Sequence, residues 1–298
     1  MSVRFGVSPI AWANDDMPEL GADTSVATIL ADAAEIGFEG VELGRRFPRQ
    51  PERLGPLLRA RGLDLIGGWY STHLLERPAA AEIAALQPHC ALLKALGSRV
   101  FIVAETSNAI HGDRGRPLAE RPRLAASEWA EFGARMAEVA AHVQAQGMRL
   151  AYHFHLGAVV ETAADLDHFL AATPESVGLV ADTGHAALGG IDLAALIRRR
   201  PERVAHVHAK DVRLTVFEAL SARGGSFLDG VLAGMFTAPG DGDLDFGPVM
   251  RALAAIGYCG WIVVEAEQDP SLADPRVYSR LGLATIRRAA AEAALTAS

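Results

Sequence analysis

LAYHFH (150–155), VGLVADTGH (177–185), VAHVHAKD (204–211) and WIVVEAEQD (261–269) decide how this chain reads. Each is a short apolar run that ends in side chains able to bind a metal or move a proton. The runs are short and rich in Val, Leu and Ala, as strands buried on both faces of a parallel sheet are. Successive side chains on a strand alternate faces. His153 and His155 therefore share a face, as do His206, His208 and Lys210, and Glu265 and Glu267.

Outward from these runs the same strand-then-helix unit repeats. RFGVSPI (4–10) is followed by a helix expected to be capped at Asp23-Thr24, and GVEL (40–43) by a helix over 52–60. DLIGGWY (64–70) precedes a helix over 79–96, and RVFIVAE (99–105) a polar loop and an alanine-rich helix over 125–145. In the second half helices open at Glu161-Thr162, over 192–199, over 248–256 and near Asp274-Pro275. Eight such units point to an α/β fold, the (β/α)8 TIM barrel. An open doubly wound sheet would carry a glycine-rich phosphate loop after its first strand. SPIAWANDDMPEL (8–20) has no such pattern. No linker divides the chain, so one domain over 1–298 is expected. The irregular insert at 211–242 is expected to be a lid, with Gly224-Gly225 and Gly240 as hinges. Alternatively it is a homo-oligomer contact through Phe227, Leu228, Val231, Leu232, Met235 and Phe236.

The formal charge of −8 and pI near 5.7 argue against a nucleic-acid partner or an anionic membrane surface. No apolar run is long enough to span a bilayer. The N-terminus reads as a strand and not a signal core. Cys90 and Cys259 lie far apart without CxxC spacing, so a cytoplasmic, disulfide-free protein is expected.

In a barrel the functional groups gather at the C-terminal ends of the strands, and the metal-capable residues lie there. A single histidine on a strand is more often a hydrogen-bonded structural group, and a lone terminal carboxylate is usually a cap or a surface charge. Four consecutive strands ending this way exceed either explanation. His153, Asp182, His208 and Glu265 are expected to hold one divalent metal. Two imidazoles and two carboxylates suit Mn²⁺, Co²⁺, Fe²⁺ or Zn²⁺ better than Ca²⁺.

The chain also resembles the xylose isomerase-like barrel superfamily and, within it, the inosose dehydratase family. The matching text is FGVSPIAWANDDMPELGADT (5–24), GFEGVELGRRFP (37–48), AYHFHLGAVVET (151–162), ADTGHA (181–186), HVHAKDVR (206–213), GMFTAPGDGDLDF (234–246) and VVEAEQDP (263–270). The resemblance implies metal ligands from four consecutive strands, with Asp182, His208 and Glu265 on three of the positions. At the first, relatives read along the lines of ENH-GGVVET, which sets His153 where a glutamate would stand. An imidazole in place of that carboxylate makes the site less negative. His155 is the alternative first ligand, and Glu267 the alternative to Glu265.

The resemblance further implies dehydration of 2-keto-myo-inositol (scyllo-inosose) to a trihydroxycyclohexane-1,2-dione in inositol catabolism. Mn²⁺ or Co²⁺ comes first as cofactor, then Zn²⁺ or Fe²⁺, with glutathione as a further requirement in the family. The reaction needs a polarised ketone, a base for the neighbouring C–H and an acid for the departing hydroxyl. Lys210 or Glu267 is expected as the base and His155 or His185 as the acid, with the Lys210 pKa lowered by a nearby cation. A plain salt bridge from Lys210 to Asp211 or another carboxylate is the competing reading.

Trp12, Asn14, Asp15, Glu42, Glu105, His185 and Arg213 are expected to bind the keto-inositol, with Trp12 or Trp69 stacking on the ring. A rim ion pair is the alternative for Glu42 and Arg213. His73, His89, His111, His142 and His168 are expected to be surface or structural. An isomerase or epimerase of the same superfamily is the alternative activity. An apurinic-endonuclease-type hydrolase would need a basic surface, which the charge disfavours.

Overall fold

A computed structural model describes residues 2–295, so the ends of the expected 1–298 domain fall outside the described residues. The first half runs β1 (Arg4–Val7), α1 (Val26–Ile36), β2 (Gly40–Glu42), α2 (Pro51–Arg59), β3 (Asp64–Gly67), β4 (Trp69–Thr72), α3 (Ala79–Ala95), β5 (Val100–Glu105) and α4 (Trp129–Ala145). Then follow β6 (Arg149–Tyr152), α5 (Ala163–Ala172), β7 (Gly178–Asp182), α6 (Thr183–Leu188), α7 (Leu193–Arg199) and β8 (Val204–Ala209). The chain closes with β9 (Asp211–Val212), α8 (Leu214–Ala222), α9 (Phe227–Leu232), β10 (Phe236–Thr237), α10 (Gly247–Ala255), β11 (Trp261–Val264) and α11 (Pro275–Glu292).

The parallel sheet has the order β3-β2-β1-β11-β8-β7-β6-β5-β4. Its two ends, β3 and β4, are halves of one barrel strand interrupted at Gly68, so covalent continuity closes the barrel. A Cβ at Gly68 would stand 2.9 Å from the Leu43 side chain and 3.3 Å from the His89 ring, which explains the residue at the break. The fold expectation therefore holds, with the third strand split.

The barrel interior is packed in layers. Val100, Ile102, Ala151 and Val180 form a buried apolar floor. Ile66 fills the space left by Gly6 and Gly40, where a Cβ would stand 2.3 Å and 2.4 Å from its side chain. Outward-facing residues of the same strands, such as Phe101, Val103, Leu150 and Tyr152, pack under the helices. The alternation along each strand produces both faces at once.

Local signals differ from expectation in three places. Ser25, not Asp23 or Thr24, caps α1 by accepting the Thr28 N–H at 3.0 Å. The helix expected from residue 125 starts at Trp129. The insert after β8 is ordered: α8, α9 and the β9–β10 pair build a satellite core of Leu220, Phe227, Leu228, Val231, Met235 and Phe236 with Met17, Leu156 and Val212. The apolar residues expected to meet a second subunit are thus mostly buried within the chain.

Asp211 organises the turn that closes the insert. It accepts backbone N–H groups of Gly240 (2.9 Å), Gly242 (3.1 Å) and Leu244 (3.0 Å). Gly240 is pinned and not a free hinge: a Cβ there would lie 2.4 Å from Thr285 Oγ1. Among the described residues no helix is long and apolar enough to cross a membrane.

Candidate metal and acid–base centre

The ends of β6, β7, β8 and β11 converge at the barrel mouth. His153 continues the ladder one residue past β6, its N–H bonding Val103 O at 2.7 Å, and Glu265 does the same past β11, bonding Ala209 O at 3.0 Å. His153 Nε2 lies 3.3 Å from Asp182 Oδ2. His208 Nδ1 lies 3.5 Å from the same oxygen and 3.1 Å from Glu265 Oε2. His153, Asp182 and His208 offer ligand atoms all within 4.8 Å of one another. Glu265 joins this set through His208.

His155 belongs to no such set. Its Nδ1 lies 2.7 Å from Leu156 O, and its ring stacks on His185 at 4.0 Å.

The donor atoms fit a divalent cation. His208 Nδ1 is buried without a hydrogen-bond partner although it faces two carboxylates. Its other nitrogen, Nε2, is 2.9 Å from Glu42 Oε1. A carboxylate there fixes the ring's proton on Nε2 and leaves the Nδ1 lone pair toward Asp182 and Glu265, as the outer partners of metal-bound imidazoles do. Burial works against a charged His208, yet Glu42, Glu265 and Asp182 together raise its pKa well above the ordinary value. The surroundings thus favour positive charge at this point.

Glu42 also accepts from His206 Nε2 at 2.8 Å. Although Glu42, His206 and His208 offer close donor atoms, the direct bonds leave no space for an ion between them. The layer beneath the mouth is a carboxylate–histidine relay. Burial would raise the Glu42 carboxyl, but the two histidines outweigh it and hold it well below the carboxylate range. The alternation of His206 and His208 on one face is as expected. Glu42 lines the cavity with its Oε1 engaged by both histidines, which leaves its other oxygen for any substrate contact.

Beside the ligand set stands an acid–base pair. Lys210 Nζ is 2.5 Å from Glu265 Oε1, 3.3 Å from Glu267 Oε2 and 3.3 Å from His185 Nε2, with the Phe236 ring 4.4 Å away. Burial pushes the ammonium down, but Glu265, Glu267 and Asp182 more than offset it and raise its pKa. The lowering expected of Lys210 applies to an ammonium beside a bound cation, a different electrostatic setting. Its salt bridges run to Glu265 and Glu267 and not to Asp211, whose carboxylate is consumed by backbone amides.

Glu267 is the group poised near neutrality. Burial, helped by Asp16 and Glu265, raises it to about 7 against the opposing pull of Lys210. Its Oε1 is buried and unpartnered. His155 and His185 are driven well below the ordinary imidazole value, first by burial and then by neighbouring histidines and Lys210. Rings held neutral do not suit the acid role expected of them. His185 Nδ1 instead accepts the Leu156 N–H at 3.2 Å.

A cavity opens at this mouth. Ser8, Asp15, Asp16, Glu42, Trp69 and His111 line it together with His153, His155, His208, Lys210, Glu265 and Glu267. Phe227 roofs the far side, its ring 5.0 Å from that of His155.

Of the expected substrate contacts, Asp15 stands on the wall, and four others are corrected. The turn at Pro9–Ala11 breaks strand alternation, so Trp12 points outward and its Nε1 donates to Asp32 Oδ2 at 2.9 Å. Asn14 Oδ1 accepts the Asp16 and Met17 N–H groups at 2.8 Å and 2.7 Å, forming an Asx turn. Glu105 is fully buried and accepts from Thr72 Oγ1 at 3.0 Å and Leu74 N at 2.8 Å. Arg213 pins the insert through Gly234 O at 2.6 Å, Thr237 Oγ1 at 3.2 Å and Asp241.

Asp16, next to the residue singled out in the sequence, escapes the sequence reading and stands on the wall. His111, expected to be surface or structural, is corrected: it lines the cavity from a loop six residues past β5, where no periodicity points to it.

A parallel barrel with two imidazoles and two carboxylates at its C-terminal mouth defines a class of metal-site enzymes. The sequence matches the xylose isomerase-like TIM barrel family over residues 30–289, and the chain belongs to that family. It is 43% identical to the rhizopine catabolism protein MocC of Rhizobium meliloti, covering 98% of this chain and 90% of that one. It is 39% identical to the inosose dehydratase of Geobacillus thermodenitrificans, over 93% of this chain and 94% of that one. Among solved structures, the IOLI protein with a bound zinc atom superposes with a TM-score of 0.71 at 14% identity, covering 97% of this chain and 99% of the other. That last likeness concerns the fold.

Proposed function

We infer that this protein is a hydro-lyase that dehydrates a keto-inositol, 2-keto-myo-inositol (scyllo-inosose), to a trihydroxycyclohexane-1,2-dione. The observation that carries the reading is the adjacency of the His153, Asp182, His208 and Glu265 set to the Lys210–Glu267 pair in one cavity. The relatives named inosose dehydratase support it.

His153, Asp182, His208 and Glu265 would hold one divalent ion, Mn²⁺ or Co²⁺ first and Zn²⁺ or Fe²⁺ next. Such an ion supplies Lewis-acid polarisation of a ketone oxygen. Glu267, with an unpartnered Oε1 and a pKa about 7, takes the proton from the carbon beside the ketone. The Lys210 ammonium donates a proton to the departing β-hydroxyl, which leaves as water, and Glu267 returns the abstracted proton to Lys210, so both groups regain their starting states. The two groups stand 3.3 Å apart on adjacent strand ends, so both proton transfers occur on one flank of the ring. His155, His185 and Trp69 stay neutral and wall the ring against bulk water.

The test is incubation of Mn²⁺- or Co²⁺-loaded protein with scyllo-inosose, with and without glutathione. Absorbance of a conjugated dione is the expected product signal. Epimerised inosose by NMR with no dione would replace the reading by an isomerase or epimerase.

A further inference from the structure

His111 lies outside the ligand set and the acid–base pair, yet the fold takes trouble to place it. Its ring lines the cavity, packs at a tilt against His155 with centroids 4.7 Å apart and meets Trp69 edge-on at 6.5 Å. Neither ring nitrogen has a hydrogen-bond partner among the described residues, and Nδ1 is buried. An unpaired buried nitrogen costs roughly 1–3 kcal/mol unless something completes it.

The loop that carries the ring is fixed from the neighbouring strand end. Ile110 N donates to Gly157 O at 2.8 Å. Gly157 has φ +78°, and a Cβ there would crowd the His111 backbone nitrogen at 3.1 Å. Gly157 N in turn donates to Glu161 at 2.7 Å, and Arg121 of the same loop pairs with Glu161 at 3.1 Å.

Asp16 lines the same cavity from the loop after β1. The Asn14 side chain sets its backbone, and its own carboxylate has no hydrogen-bond partner among the described residues. Asp16 acts on His111 electrostatically, raising a pKa that burial lowers. What suits an imidazole with one donor and one acceptor beside a free carboxylate is a neutral ring bearing hydroxyls.

We propose that His111 and Asp16 are substrate-binding residues that grip ring hydroxyls away from the ligand set. This rests on the keto-inositol reading but concerns recognition, so it is tested with a ring that cannot react. Titration calorimetry of metal-loaded protein with scyllo-inositol measures binding without turnover. His111→Phe keeps an aromatic ring and removes both nitrogens, and Asp16→Ala removes the carboxylate. Each is expected to weaken binding by about 5- to 30-fold, the loss of one or two hydrogen bonds, with metal stoichiometry unchanged.

Monodeoxy analogues supply a readout that a purely structural role would not move. Wild-type protein should discriminate against the analogue lacking the gripped hydroxyl, and His111→Phe should lose that discrimination alone. Unchanged scyllo-inositol affinity in both variants, equal losses across all analogues, or wild-type protein that binds no cyclitol would each overturn the proposal. Intact cyclitol binding without dehydration of scyllo-inosose would instead overturn the functional reading and leave this one standing.

Discussion

Replacing Glu42 tests how the centre selects its charge. The carboxylate is not itself an expected ligand, but its Oε1 sits 2.9 Å from Nε2 of the ligand His208 and 2.8 Å from His206 Nε2. Glu42→Leu removes the acceptor that keeps the His208 proton on Nε2. Nδ1 then carries that proton part of the time and cannot donate its lone pair toward Asp182 and Glu265. Loss of such an outer partner weakens metal binding about 10- to 100-fold, which corresponds to roughly 1.4–2.7 kcal/mol. Glu42→Gln keeps an acceptor oxygen and drops only the charge, so its loss should be smaller. The assay is competition for Mn²⁺ or Co²⁺ against a chelator of known affinity. A change in folding stability, expected because His206 and His208 lose a buried partner, is followed separately by denaturant titration at saturating metal. Wild-type metal affinity in Glu42→Leu would refute the tautomer argument, whatever the effect on turnover.

Three further outcomes are expected. Glu267→Gln should lower turnover of scyllo-inosose by about 10²- to 10⁴-fold while metal stoichiometry stays at the wild-type value; near-normal turnover would remove Glu267 from the base role. Arg203 is buried and donates to Val177 O at 2.6 Å, to Leu170 O at 3.1 Å and to the Thr173 and Pro174 carbonyls. Arg203→Met strands those carbonyls and should cost about 3–5 kcal/mol, a fall in Tm on the order of 10 °C; a calorimetric scan decides. His89, desolvated and bonded to Gly68 O at 3.3 Å, has its pKa lowered to about 4 from 6.5, mainly by burial. Between those values the unfolded chain takes up a proton that the folded protein refuses, so stability present above pH 6.5 declines as pH falls toward 4, by up to about 3 kcal/mol. His89→Gln should flatten the decline in denaturation measured at pH 7 and pH 4.5; an unchanged slope would show that His89 does not contribute.

Much of the mouth is legible in the chain because strand geometry is local. A two-residue period forces His206, His208 and Lys210 onto one face, and the same rule pairs Glu265 with Glu267, whatever the rest of the protein does. Where the backbone leaves that period, legibility ends. Trp12 and Asn14 sit just past a strand end, but a 3-10 turn and an Asx turn redirect them. Glu105 ends β5, yet neighbouring hydroxyl and amide groups consume its oxygens. His111 reaches the cavity only because the loop after β5 docks on Gly157.

The amino-acid sequence by itself determined the repeating strand–helix order and the set of side chains facing the barrel mouth. Both follow from short-range periodicity and from caps and glycines a few residues away. Only the tertiary structure decided which of those groups are free to act. Glu42 is occupied by two histidines, Asp211 by backbone amides and Arg213 by carbonyl and carboxylate oxygens, whereas Glu267 and His111 keep unpartnered atoms. Hydrogen-bond partners and the electrostatic surroundings of a buried charge come from residues distant in the chain. Their effect is fixed only when burial removes the water that would otherwise satisfy every group alike.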